Sequence, residues 1–151
     1  MAKLDISPQV QNSNLSVYAV GTAYALTNSS AALDFGTTDP ALTISTAGTY
    51  MLFGRVKLDY TGATFAAVRT VTLKLRRTNN TAADVSNSST AFLTQIITTL
   101  TFTAGSISLP PVVYTTTNTN DSVTIFGDVS VAPTAGSLDA TEASIVAVRL
   151  V

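Results

Sequence analysis

Residues 42–60 read LTISTAGTYMLFGRVKLDY, and the fold turns on how that stretch is taken. Thr46, Ala47 and Gly48 form a turn signal, and a long strand follows. From Tyr50 onward one face carries Tyr50, Leu52, Gly54, Val56, Leu58 and Tyr60, which is apolar throughout. The other carries Thr49, Met51, Phe53, Arg55, Lys57 and Asp59, which begins apolar and ends charged. An antiparallel sheet at a protein surface keeps one face wet along its length. Met51 and Phe53 therefore call for a cover that the strand itself does not supply.

The 151-residue chain is long enough for one domain with a real core. Only 11% of it is charged while 46% is hydrophobic, so Thr, Ser and Asn must make up its polar surface. A surface this poor in charge tolerates close packing against other subunits, because little charge has to be desolvated. Net charge is -1, with eight Lys and Arg scattered along the chain, which gives no footprint for nucleic acid. The basic cluster KLRR, residues 74–77, reads as a solvated strand end before an Asn-Asn turn. No apolar run reaches the roughly 20 residues of a membrane helix, so no membrane partner is expected. The N-terminus has no signal-peptide pattern, and a protein made in the cytoplasm is expected.

Residues 1–16 read as a polar N-terminal arm, with Pro8, a Gln/Asn/Ser run and no sustained period. Residues 17–151 read as a succession of β signals: 17–26, 31–35, 41–45, the long strand from 49, 69–76, 91–103, 106–115, 122–131 and 143–151. Pro110 and Pro111 make 106–115 an edge strand, or one broken there. Residues 61–67 and 132–140 read as loops. No stretch of helical period appears, so the expected fold is all-β, an antiparallel two-sheet sandwich without substantial helix. In the last strand Ile145, Ala147 and Val151 share one face, and Val146, Val148 and Leu150 share the other. A strand apolar on both faces needs burial on both.

Chemistry is scarce. The chain has no His and no Cys, which removes the usual general base, every His-containing triad and every thiolate ligand. Neither a catalytic residue, a cofactor nor a metal site is expected. Most carboxylates sit at strand ends and turns, where Asp is favoured for its local hydrogen bonds. Asp34 and Asp39 in LDFGTTDP do not match the dense ligand spacing of a calcium loop. Asp121 and Asp128 flank a strand, roughly 20 Å apart at about 3.3 Å per residue, too far for a glycosidase pair. Five Asn-x-Ser/Thr triplets are incidental in so Asn- and Thr-rich a chain. Tyr18, Tyr24, Tyr60 and Tyr114 could serve as a sugar platform, but inside strands they suit core or interface packing better.

The order of features resembles the C1q/TNF-like jelly roll. Residues up to Gly48-Thr49-Tyr50 are similar to that family's pattern of a small strand, a Gly turn and a long aromatic-bearing strand. Asp121-Ser122-Val123 resembles its opening of a late strand, with Asn120 where the family usually has Gly. SIVAVRLV, residues 144–151, resembles its closing strand. The resemblance implies a homotrimer packed through the sheet that holds the long and closing strands. It places Met51, Phe53, Val146, Val148 and Leu150 at the trimer interface.

The small, His- and Cys-free composition with an N-terminal arm is similar to virion components of tailed bacteriophages. The expected function is that of a capsid decoration (cement) protein on the capsid exterior, with the major capsid protein as partner. Contact would run through the arm residues Leu4, Ile6, Pro8 and Val10. The alternative is a receptor-binding tip of a tail fibre or spike, which would use loops 61–67, 79–90 and 132–141.

Overall fold

The computed structural model describes residues 14–64, 69–94 and 105–150. Eleven strands are found among them: β1 (Leu15–Ala25), β2 (Ala31–Ala32), β3 (Ala41–Ile44), β4 (Gly48–Thr64), β5 (Arg69–Arg77), β6 (Ala83–Asp84), β7 (Thr90–Thr94), β8 (Gly105–Ser108), β9 (Val112–Thr116), β10 (Asp121–Val129) and β11 (Ala135–Arg149). They form two antiparallel sheets, and no helix occurs among the described residues. In sheet A, β11 lies between β1 and β4, and β8 and β9 share the other edge of β4. In sheet B, β10 pairs with β2, β3 and β5, and β5 pairs further with β6 and β7.

Period-two alternation builds the core between the sheets. Tyr50, Leu52, Val56 and Leu58 point inward from β4, and Ile145 and Ala147 from β11. Val71, Leu73 and Leu75 of β5 meet them, with Val123, Ile125 and Val129 of β10. Each buried side chain of this size stabilises the fold by about 1.5–3 kcal/mol relative to exposure. Tyr50 buries its ring and donates from its hydroxyl to Thr46 O at 2.7 Å, which satisfies the polar atom that this side chain carries inward.

Several boundaries differ from the sequence reading. β1 begins at Leu15, two residues inside the expected arm, because Leu15 pairs with Ala147 and packs against the core. β11 begins at Ala135, within the expected loop 132–140. Leu138 and Ala140 are buried there, but the alternation changes phase at a bulge around Thr141. β4 runs to Thr64, into the expected loop 61–67. Val131, inside the expected strand 122–131, is exposed because the strand ends at Val129. The Pro-Pro step does break its strand: β8 and β9 flank residues 109–111, and Leu109 N–H donates to Gly54 O at 2.9 Å to hold the gap against β4.

Gly21 marks a close approach. A Cβ there would lie 2.4 Å from the carbonyl oxygen of Phe35, which is backbone and cannot swing aside. The adjacent Thr22 N–H donates to that same oxygen at 3.1 Å. Gly21→Ala should therefore destabilise the protein by about 2 kcal/mol through forced displacement of the Phe35 segment. The midpoint of urea unfolding measures this, and an unchanged midpoint would show that the approach is looser.

Candidate functional site

The outer face of sheet A has two halves. Strand pairing puts Val146 beside Phe53, and Val148 beside Met51, which on its other side meets Val113 of β9. Phe53 is 42% exposed, Val113 58%, Val146 36% and Leu150 44%, while Met51 and Val148 are half-buried. The result is an apolar band across three neighbouring strands. Isolated exposed apolar residues are ordinary on a surface; a contiguous patch marks a contact site.

The other half is polar and internally bonded. Glu142 of β11 accepts from Lys57 Nζ of β4 at 2.6 Å on Oε1 and from Tyr18 Oη of β1 at 2.9 Å on Oε2. One carboxylate thus ties three adjacent strands. The Lys57 hydrogen bond holds Glu142 below the ordinary carboxylate range, and the same bond holds Lys57 above the ordinary lysine value. Arg55 Nη2 donates to Ser106 Oγ of β8 at 2.7 Å. The Lys57–Glu142 pair and the Arg55–Ser106 bond keep this half polar and suited to water.

All five residues expected at an interface, Met51, Phe53, Val146, Val148 and Leu150, fall on this one face. Val113 and Val20 share it and were not singled out for contact; Tyr18, named only with the other strand tyrosines, shares it too. Val113 was masked by the preceding prolines, whose break hides the alternation of β9. Of the tyrosines considered as a sugar platform, Tyr18 is exposed here, whereas Tyr24, Tyr60 and Tyr114 pack against the core. Leu4, Ile6, Pro8 and Val10 lie outside the described residues.

The outer face of sheet B is built differently. Lys74 Nζ and Arg76 Nη1 reach Asp84 at 2.8 and 3.3 Å, and the Arg76 guanidinium sits 5.3 Å from the ring centroid of Phe126. The KLRR segment is therefore a paired strand end: its last residue, Arg77, donates from Nε to Thr81 O at 2.8 Å. Asp34 Oδ1 accepts from Gly36 N–H at 2.7 Å, a turn role that agrees with the sequence reading. No group of three or more potential metal-ligating side chains occurs among the described residues.

Asp121 proves to be more than a turn residue. It is fully buried at the start of β10. It accepts from Tyr114 Oη at 2.6 Å, from the Thr116 hydroxyl, from Asn80 Nδ2 at 2.7 Å and from Asn118 Nδ2 at 3.3 Å; Arg77 Nη1 stands 3.9 Å away. Tyr114 and Thr116 belong to sheet A, and Asn80 and Arg77 belong to the sheet B side, so one carboxylate joins both layers. Burial pushes its pKa up, but the bonds from Thr116, Tyr114 and Asn80 and the Arg77 charge outweigh burial and hold it below the ordinary carboxylate value. Tyr114 is pushed up to about 12 by burial and by its bond to Asp121.

A carboxylate with a depressed folded pKa stabilises above its unfolded value of about 3.9, and that stability is lost as pH falls through the folded value. Asp121→Asn should therefore flatten the loss of denaturant resistance between about pH 5 and pH 2. Asp121→Ala should cost about 3 kcal/mol at neutral pH, because it strands several buried donors. Urea midpoints across that pH range test both, and parallel curves for wild type and Asp121→Asn would refute the assignment.

No protein-family model matches the sequence, and no curated protein matches it. Solved structures do resemble the fold. The globular domain of zebrafish complement 1qA protein superposes with a TM-score of 0.50 at 12% identity, over 93% of this chain and 98% of that one. Eiger TNF from S. frugiperda gives 0.50 at 14% identity, over 91% and 86%. A chain in the structure of infectious bursal disease virus, Gx strain, gives 0.53 at 11% identity; the match covers 99% of this chain but only 36% of the viral one. The protein is thus an antiparallel two-sheet jelly roll. Its arrangement is that of the C1q and TNF globular domains, as the sequence resemblance implied.

Proposed function

We propose that this protein is a structural, non-catalytic component of a virion: a homotrimer, built through the outer face of sheet A, that decorates a capsid and bridges its shell subunits. The contiguous apolar band of Met51, Phe53, Val113, Val146, Val148 and Leu150 carries the reading, because no described element of the subunit packs over it. The number three rests on the C1q/TNF resemblance. The virion setting is supported by the low charge, by the absence of His and Cys from the sequence, and by the fold shared with a chain of a virus structure. The salt-bridged outer face of sheet B suits exposure on the outside of such an assembly.

Phe53→Asp places a charge at the centre of the band, where burial against a neighbour would leave it unpaired. Self-association should weaken by at least about 100-fold, since each 1.4 kcal/mol is tenfold and an unpaired buried charge costs more than two such steps. Sedimentation at micromolar concentration should give a trimer for the wild type and monomers for the variant, with the far-ultraviolet dichroism of the two alike. A monomeric wild type, or a variant that remains trimeric, would overturn the reading. Retention of the trimer on empty shells in a pull-down with the major capsid protein tests the decoration role separately.

A further inference from the structure

The polar half of the outer face of sheet A carries one positive charge without a counterpart. Glu142 is matched to Lys57 at 2.6 Å. Arg55 donates to the neutral Ser106 hydroxyl, and no carboxylate of the described residues forms an ion pair with it. Asp59 and Asp139 stand opposite one another on β4 and β11, but Asp59 is roughly 13 Å along β4 from Arg55, at about 3.3 Å per residue. Ser144 lies opposite Arg55 on one side and opposite Tyr18 on the other. Its hydroxyl has no hydrogen-bond partner among the described residues. Tyr18, Arg55, Lys57, Glu142 and Ser144 line a cavity of about 70 Å³. That exceeds the roughly 10–15 Å³ that one water needs and falls far short of the roughly 300 Å³ of a pocket for an organic ligand. The donors lining it include a guanidinium, an ammonium and a free hydroxyl, a set that suits a small anion.

We infer that this site holds a small inorganic anion, of the size of chloride, and that the anion governs self-association of the subunits. The inference rests on the trimer reading above and adds a condition to it. A rotation axis keeps each residue at its own height, so the copies of Arg55 stand level with one another around it. β4 is the middle strand of the apolar band, and Arg55 follows Phe53 on the same face of that strand. Closing the band against neighbouring copies therefore draws their Arg55 guanidinium groups toward the axis. Water is removed from around them at the same time, and like charges repel more strongly as the surroundings become less polar. Level packing also keeps Asp59 and Asp139 of a neighbour away from Arg55. Glu142 already accepts from Lys57 and Tyr18, so sharing it would leave the Lys57 charge over in turn. An anion set between Arg55, Ser144 and their copies removes the excess without any change in the subunit.

Sedimentation at fixed pH and ionic strength tests this, with sodium chloride exchanged for sodium HEPES, whose sulfonate is too bulky for the cavity. For the wild type, the concentration at half-association should be at least about tenfold lower in chloride, because an ion held by the assembled form adds its binding free energy to assembly. Arg55→Gln should associate equally in both salts, and about as tightly as the wild type does in chloride, since the substitution removes the excess charge itself. Arg55 is exposed and its one side-chain hydrogen bond among the described residues goes to Ser106, so the fold tolerates the change. A wild-type trimer indifferent to the exchange would overturn the inference and leave the trimer reading in place. An Arg55→Gln variant that associates more weakly in both salts would overturn it too, and would point to Arg55 paired with a carboxylate of the next copy. Wild-type monomers in both salts would end the trimer reading and this inference together.

Discussion

The pairing of β4 with β11 sets the rest of the structure. The two strands run antiparallel from Tyr50–Arg149 at one end to Thr64–Ala135 at the other, and every side chain on them is assigned to core or surface by that register. A one-residue slip would exchange the faces, bringing Arg55, Lys57 and Glu142 into the core. The register is held on one side by inward Tyr50, Leu52, Val56, Leu58, Ile145 and Ala147, and on the other by the Lys57–Glu142–Tyr18 contact. Exposed ion pairs add little stability, so the apolar side decides the energy, while the polar contact disfavours shifted pairings.

The halves of the outer face follow from the same register. Residues 51 and 53 meet 148 and 146, and all four are apolar; residues 55 and 57 meet 144 and 142, and all four are polar. The boundary therefore crosses the sheet as a line and is not scattered along each strand. A Phe or Val that is about half exposed still has a large part of its roughly 1.5–3 kcal/mol burial energy to gain. Association must offset about 4–15 kcal/mol of lost rigid-body freedom, so such residues matter only when they are covered together. Their alignment across three strands is what allows that.

Much of this was legible in the sequence because alternation is a two-sided record. The inner face of β4, the clean pattern of β5 and the two apolar sides of residues 145–150 could each be read directly. Legibility failed where the period was interrupted. At the bulge near Thr141 the inward parity passes from Leu138 and Ala140 to Ala143, Ile145 and Ala147, so a search for one alternation ends there and leaves residues 135–140 within the expected loop 132–140. Pro110 and Pro111 hid Val113 in the same way. Asp121 was beyond reach for another reason: its partners come from positions 77, 80, 114, 116 and 118, and only the folding together of two turns makes them one site.

The two outer faces differ in what they can accept. On sheet B the cations Lys74 and Arg76 are spent on Asp84, and the apolar Phe126 is capped by Arg76. Covering that face would desolvate charges that already have partners, at a cost and with little apolar area in return. On sheet A the apolar band offers the reverse balance. Indefinite stacking of subunits needs adhesive surface on opposite sides, and among the described residues the contiguous apolar band lies on sheet A. In the assembly proposed above, contacts through that face would bury the band once the ring closes, as a closed oligomer does and an open filament does not.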